Sequence, residues 1–216
     1  MKRTSSAAWL LATAALAGCG TAGTVATVAN LALEMSGVKK PELPESQKPP
    51  RKVPVSMAAG RNLNADGRGR PLAVVARIYK LKDSTSFHQA PFEAFVTPGR
   101  DRAVLGDDLI ESREITLLPG QQYDWTESVP RTANALGVVV LFHSPAAQRW
   151  RFAFDPVESE KTGVLMGVHA CALTVTRGAI VPVQNAGSSA PASAPNLLAP
   201  VQCKDEAPGI QGSARK

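Results

Sequence analysis

The chain has 216 residues and a formal charge of +6, from 24 Lys and Arg against 18 Asp and Glu. The cations are scattered with no run of five or more, so the basic balance describes a solvated surface and excludes the electrostatic footprint of a nucleic-acid binder. Val, Leu, Ile and Phe suffice for one core, and the apolar stretch from Ala7 to Ala17 falls short of the roughly 20 residues that a membrane-spanning helix needs.

Lys2 and Arg3 precede that stretch, and the small residues Ala17 and Gly18 close it directly before Cys19. A charged start, an apolar centre and a small-residue cleavage site make residues 1–18 an expected export signal. The run Leu16-Ala17-Gly18-Cys19 resembles the lipobox of bacterial lipoproteins, in which the cysteine thiol receives a diacylglyceride and the chain is cut before it. That resemblance implies covalent lipid on Cys19 and a mature domain held to a membrane facing the periplasm. The competing reading is a secreted protein cut elsewhere, with Cys19 a buried or disulfide-bonded thiol. Each buried methylene adds about 0.8 kcal/mol, so a multiply acylated cysteine is a firm anchor. Gly20 stands where inner-membrane lipoproteins of the enterobacterial kind carry Asp, which by the same resemblance points to the outer membrane. Loss of Lys2 and Arg3 leaves the mature chain at +4.

From Gly20 to Ser36, Val25, Val28, Ala29, Ala32 and Met35 recur at helical spacing, and Gly37 is placed as a stop. Pro41, Pro44, Pro49, Pro50 and Pro54 come next among charged residues and predict an extended, semi-rigid spacer. Residues 19–52 therefore read as a lipidated N-terminus, a short helix and a tether.

Residues 53–177 read as a mainly β domain, a sandwich of seven or eight strands with short inserted helices. Val53, Val55 and Met57 alternate along a first strand, and Leu72 to Tyr79 form a second whose continuous apolar character predicts burial on both faces. Asp83 to Val96 and Ala103 to Ile110 break the pattern as short helices, with Phe87, Phe92 and Phe95 facing the core. Ile115 and Leu117 mark a third strand, closed by a Pro119-Gly120 turn. Tyr123 and Trp125 alternate in a fourth, Leu136 to Phe142 make a buried fifth, and Trp150, Phe152 and Phe154 line one face of a sixth. Val164 to Val175 is expected as one long last strand. Residues 178–216 are rich in Ala, Ser and Pro and are expected to form a disordered tail.

With Cys19 spent on lipid, Cys171 and Cys203 remain. In an oxidising compartment they form one disulfide worth roughly 3 kcal/mol, or else stay as two unpaired thiols in a strand and a tail. Catalytic and metal chemistry finds little support. His88, His143 and His169 fall in three different predicted elements without ligand spacing, and no nucleophile elbow or phosphate-binding glycine loop is present. Asn62, Asn64, Asp66 and Gly67 copy the first half of a calcium loop, but Ala73 stands where the bidentate Glu is required. The cheaper reading of that run is a loop tip shaped by Asn, Asp and Gly.

The run from Asn62 through Asn64, Asp66, Gly67, Pro71, Val74, Val75, Arg77, Ile78 and Tyr79 to Leu81 resembles the signature of the type VI secretion lipoprotein family, TssJ, also called VasD or SciN. Phe87 to Phe95, Leu105-Gly106-Asp107-Asp108-Leu109, Leu118-Pro119-Gly120, Leu136 to Phe142 and Trp150-Arg151 come in the family's order, so the resemblance covers about residues 53 to 175. It implies a two-sheet transthyretin-like β-sandwich, anchored in the outer membrane, with no cofactor beyond the lipid on Cys19. Its implied partner is the periplasmic C-terminal region of TssM and, through it, the TssL/TssM inner-membrane complex. The implied contact is the loop between the first two strands, here Arg61, Asn62, Leu63, Asn64, Ala65, Asp66, Gly67, Arg68, Gly69 and Arg70. An exposed, glycine-loosened loop rimmed by arginines suits hydrogen bonding and charge matching. Alanine at Asn64, Asp66 and Arg68 is expected to abolish binding at a stability cost within about 1 kcal/mol, as surface loops usually allow. The alternative is a transthyretin-like periplasmic ligand- or carbohydrate-binding lipoprotein, which exposed aromatics on a sheet face would favour. A hydrolase lacks any motif for its nucleophile.

Overall fold

The computed structural model describes residues 43–182 together with Val201 and Cys203. The expected export signal, Cys19, the expected 20–36 helix and the first part of the expected tether lie outside the described residues, as does most of the expected tail. The chain divides into two compact units, Met1–Leu43 and Pro44–Lys216, and every described strand and helix lies in the second.

Eight strands form two four-stranded sheets. One has the order β4, β1, β7, β8 and the other β3, β2, β5, β6, with β1 at Arg51–Ala59, β2 at Val74–Leu81, β3 at Leu109–Leu117, β4 at Gln122–Val129, β5 at Ala135–Val140, β6 at Arg151–Phe154, β7 at Val164–Val168 and β8 at Leu173–Arg177. All pairings are antiparallel except that of β1 with β7. The expected mainly β sandwich is the observed one. Strand β1 turns Val53, Val55, Met57 and Ala59 into the core and Lys52, Pro54 and Ala58 to solvent. Pro54 sits in a central strand at the one place where its missing donor is harmless. Pairing of β1 with β7 begins only at Val55, and the Lys52 N–H, two residues earlier on the same edge, goes to Glu160 instead of a strand.

Continuous burial of β2 has a specific cause. Its inner face packs on the other sheet, and its outer face is covered by three short helices, α1 (Thr85–Gln89), α2 (Phe92–Val96) and α3 (Arg100–Leu105). Tyr79, Phe87 and Phe95 meet there with ring centroids 5.6–5.9 Å apart, tilted or edge to face. Gly137 on β5 makes the room, since a Cβ there would lie 2.9 Å from the Phe87 ring. Arg151 on β6 donates to the carbonyls of Phe87, His88 and Ala90 and stacks on Trp150, so it caps the end of α1. Burial without a carboxylate lowers its pKa to about 10. Asp101 of α3 is held by the Tyr79 hydroxyl at 2.8 Å, which ties the helical insertion to the sheet.

Four sequence expectations are corrected. The interval 83–96 holds two helices instead of one, because Pro91 cannot continue α1 and starts α2 instead. Leu109 and Ile110 belong to β3, preceded by α3 and a single 3-10 turn at Gly106–Asp108. The expected last strand is a hairpin of β7 and β8, because the inward positions change phase: Val164, Met166 and Val168 are even, Leu173 and Val175 odd, and a straight strand would turn the second set outward. Residues 178–182, assigned by composition to the tail, belong to the fold. The Asp155 N–H donates to Ala179 O at 2.7 Å and the Val181 N–H to Ala153 O at 2.8 Å, so this segment covers the free edge of β6. One helix, α4 at Pro156–Thr162, was not expected. Its signal is local: Asp155 accepts from the N–H groups of Val157 and Glu158, and Pro156 occupies the first turn.

Candidate functional site

Strand directions sort the connections between two ends of the sandwich. The loops 60–73, 118–121, 141–150 and 169–172 share one end. The approach to β1, the helical insertion, residues 130–134 and α4 share the other. Nine residues of β1 separate the ends by about 30 Å at the usual strand rise.

The β1–β2 loop is built in two layers. At its base it runs beside the β7–β8 turn: the N–H groups of Gly60, Asn64 and Ala65 donate to Val168 O, His169 O and Ala170 O at 2.8, 3.0 and 3.1 Å. Leu63 is fully buried and Asn64 is 6% exposed. The Asn64 amide donates to Ala73 O at 3.0 Å while its oxygen accepts the His143 N–H at 2.7 Å, which joins both ends of this loop to the β5–β6 loop. Its φ of +45° is left-handed, a conformation Asn tolerates better than most residues. The tip is organised by Asp66, whose carboxylate accepts from the N–H groups of Arg68 and Arg70, both at 2.9 Å, and from the Arg70 guanidinium at 2.7 and 2.8 Å. The Arg70 N–H above all, then its side chain and the Arg68 N–H, hold the Asp66 carboxyl below its usual range.

The ten loop residues therefore divide by role. Arg61, Asn62, Gly67, Arg68, Gly69 and Arg70 are exposed, and Ala65 and Asp66 are half-buried. Leu63 and Asn64 face inward and cannot present side chains to a partner. This corrects the expectation that alanine at Asn64 costs little. Asn64→Ala orphans the Ala73 carbonyl and the His143 N–H and is expected to destabilise the domain by about 2 kcal/mol, measured by chemical denaturation. A loss under about 0.5 kcal/mol would remove Asn64 from the loop's support.

Two further elements join this end, and neither was expected there. The Gly120 N–H donates to Gly60 O at 3.2 Å, which sets the β3–β4 turn against the loop base. Cys171 and Cys203 are disulfide-bonded, with sulfurs 2.02 Å apart. Cys171, Ala146 and Ala172 form a small apolar cluster of their own, against which Val201 and Cys203 pack. The disulfide is the one expected of the two remaining cysteines, but no local signal places it or the β3–β4 turn at this end, since that depends on which loops share it.

The remaining candidates are split between the two ends: His143 and His169 belong to loops of this end, and His88 to the opposite one. His169 is 3.0 Å from the Thr174 hydroxyl, and burial lowers its pKa. His88 lies in α1, where burial and then Arg151 lower its pKa. No cluster of three metal-ligating side chains occurs among the described residues, and no helix among them is long and apolar enough to cross a membrane. The Asp66 carboxylate, the strongest oxygen donor of the half calcium loop, is engaged by Arg70. A shallow groove of about 520 Å³ on the outer face of the first sheet is lined by Ser56, Asp124, Thr126, Arg177 and neighbours. Trp125 borders it, but its ring stacks on Arg113 and its Nε1 donates to Glu127, so it offers no platform to a sugar.

Residues 51–171 match the family model described as "Type VI secretion lipoprotein, VasD, EvfM, TssJ". No curated protein matches the chain significantly. Among solved structures, a chain of a "Type VI membrane complex" is similar with 29% identity and a TM-score of 0.54 over 59% of this chain and 98% of that one. A chain of the structure of the T6SS protein TssM C-terminal domain from EAEC is similar with 30% identity and a TM-score of 0.50, over 57% and 98%. The T6SS lipoprotein TssJ1 from Pseudomonas aeruginosa shares the fold, at 24% identity and a TM-score of 0.53 over 63% and 100%. With its two four-stranded sheets and a family match over more than half of its length, the chain belongs to the type VI secretion lipoprotein family.

Proposed function

We propose that this protein is an outer-membrane anchor of a type VI secretion membrane complex, held by lipid on Cys19 and binding the periplasmic C-terminal region of TssM through its β1–β2 loop. Through TssM it joins the TssL/TssM inner-membrane complex. The observation that carries this reading is the polarity of the sandwich. The chain that leads from Cys19 enters β1 at one end, and the β1–β2 loop stands at the other, about 30 Å away. A domain with its tether and its docking loop at opposite ends transmits force along its strands, as a link between two membranes requires. Family membership and the likeness to a chain of a type VI membrane complex support the same reading.

The test separates anchor from contact. Cys19→Ser is expected to abolish acyl labelling and outer-membrane fractionation. Replacing residues 66–70 by two glycines in the full chain is expected to weaken binding to the TssM C-terminal region at least about tenfold, while stability changes by about 1 kcal/mol, because the buried base at Leu63 and Asn64 is retained. Undiminished labelling of the serine variant sinks the lipid site. Unchanged TssM affinity of the shortened loop sinks the contact.

A further inference from the structure

The loop end carries an uneven distribution of charge and apolar surface. Among the described residues of its four loops, Asp66 is the only carboxylate, and Arg70 already neutralises it. Arg61 and Arg68 are exposed and have no ion pair or side-chain hydrogen bond among the described residues. The connections at the opposite end, residues 82–108, 130–134 and 155–163, carry eight carboxylates against five Lys and Arg. Two exposed leucines sit among the arginines. Leu72 is 39% and Leu118 44% exposed, and they flank the last pair of the β2–β3 ladder, Val74 with Leu117. The β3–β4 turn after Leu118 touches the loop directly, since a Cβ on Gly120 would lie 3.7 Å from Arg61 Cγ.

We propose that the docking surface is composite: Arg61 and Arg68 receive the carboxylates of an acidic segment of the partner, and Leu72 and Leu118 seat its apolar side chain. This rests on the reading that TssM is the partner, and it adds the chemistry of the segment and the participation of the β3–β4 turn. Two uncommitted guanidiniums on rigid backbone are suited to bidentate carboxylate recognition. An apolar centre with a charged rim is the arrangement in which a few residues dominate affinity. The charge surplus is one-sided, so the same surface repels a basic segment. Asp66 serves this surface by engaging the exposed Arg70 and fixing the tip that carries Arg68.

Binding of the full-length, detergent-solubilised protein to the TssM C-terminal region, measured at about 50 and 300 mM salt, tests this. The double variant Arg61→Glu/Arg68→Glu is expected to weaken binding by about 30-fold or more and to flatten its salt dependence. Leu118→Ala is expected to weaken it about tenfold at both salt concentrations. Val104→Ala, at the opposite end and 39% exposed, is expected to bind as wild type. All of these are surface side chains, and melting curves confirm that each variant is folded. Wild-type affinity in either the arginine or the leucine variant, while the unmutated chain binds TssM, overturns the composite surface and leaves the TssM reading standing. If the unmutated chain does not bind TssM, that reading fails. The surface is then judged in cells by photocrosslinkers at positions 118 and 104: a crosslink from 118 that vanishes in the arginine double variant sustains it, and crosslinks from 104 alone overturn it.

Discussion

Glu127→Ala is expected to destabilise the domain by about 3–5 kcal/mol, the cost of stripping a buried charge of its partner. Glu127 on β4 is 4% exposed and lies between the two sheets. Its carboxylate is 3.1 Å from Lys80 Nζ of β2, 2.6 Å from the Arg113 guanidinium of β3 and 3.0 Å from Trp125 Nε1. Lys80, 5% exposed, keeps only Glu111 when Glu127 is removed. The pair therefore clamps the side of the sandwich where β3 passes to β4. Replacing both members, Lys80→Met with Glu127→Leu, is expected to recover most of the loss, because neither charge is then stranded in the interior. Urea unfolding of the three variants checks this, and a double variant as unstable as Glu127→Ala would show that the clamp acts through packing alone.

The same group makes stability fall in acid. Burial by itself would raise the Glu127 pKa, but hydrogen bonds from Arg113, Trp125 and Lys80 outweigh it, and the folded value lies below the ordinary carboxylate range. A depressed folded pKa contributes stability that is fully present above the unfolded pKa and is lost as the pH falls through the folded one. Glu127→Gln is therefore expected to flatten the acid limb of the stability profile.

Cys203→Ser is expected to cost about 3–4 kcal/mol by chain entropy, since the disulfide closes a separation of 32 residues. A second effect is local. Cys171 O accepts the Ala146 N–H at 2.9 Å, and the turn just before it supplies the carbonyls that hold Asn64 and Ala65. Releasing the pin is expected to speed hydrogen exchange at the Asn64 and Ala65 amides more than in β2 or β5. Unchanged protection at those two amides would confine the disulfide to a purely global role.

Much of the fold is legible in the chain because its signals are local. The alternation of Val53, Val55 and Met57, the turn at Pro119-Gly120 and the apolar run of β5 each arise from neighbouring residues. The phase change between Val168 and Leu173 and the Asp155-Pro156 helix start are equally local, although the sequence expectation merges β7 with β8 and leaves α4 out. The β1–β2 loop is legible in part. Its glycines and polar residues mark an exposed connection, but the inward turn of Asn64 depends on Ala73 and on His143, 79 residues away. The Lys80–Glu127 clamp is not legible, because an inward-facing charge is tolerated only when a distant strand supplies its counter-charge.

Class of fold, family and the place of the β1–β2 loop can all be read from the amino-acid order, because periodicity, turn chemistry and short motifs are carried by residues close together in the chain. Three matters wait on the folded domain: which loop residues support and which present, that the β3–β4 turn and Cys203 share the loop's end, and that the chain enters at the opposite one. Those facts depend on strand order and direction, which are set by burial of both sheets against each other and leave no trace in any single segment.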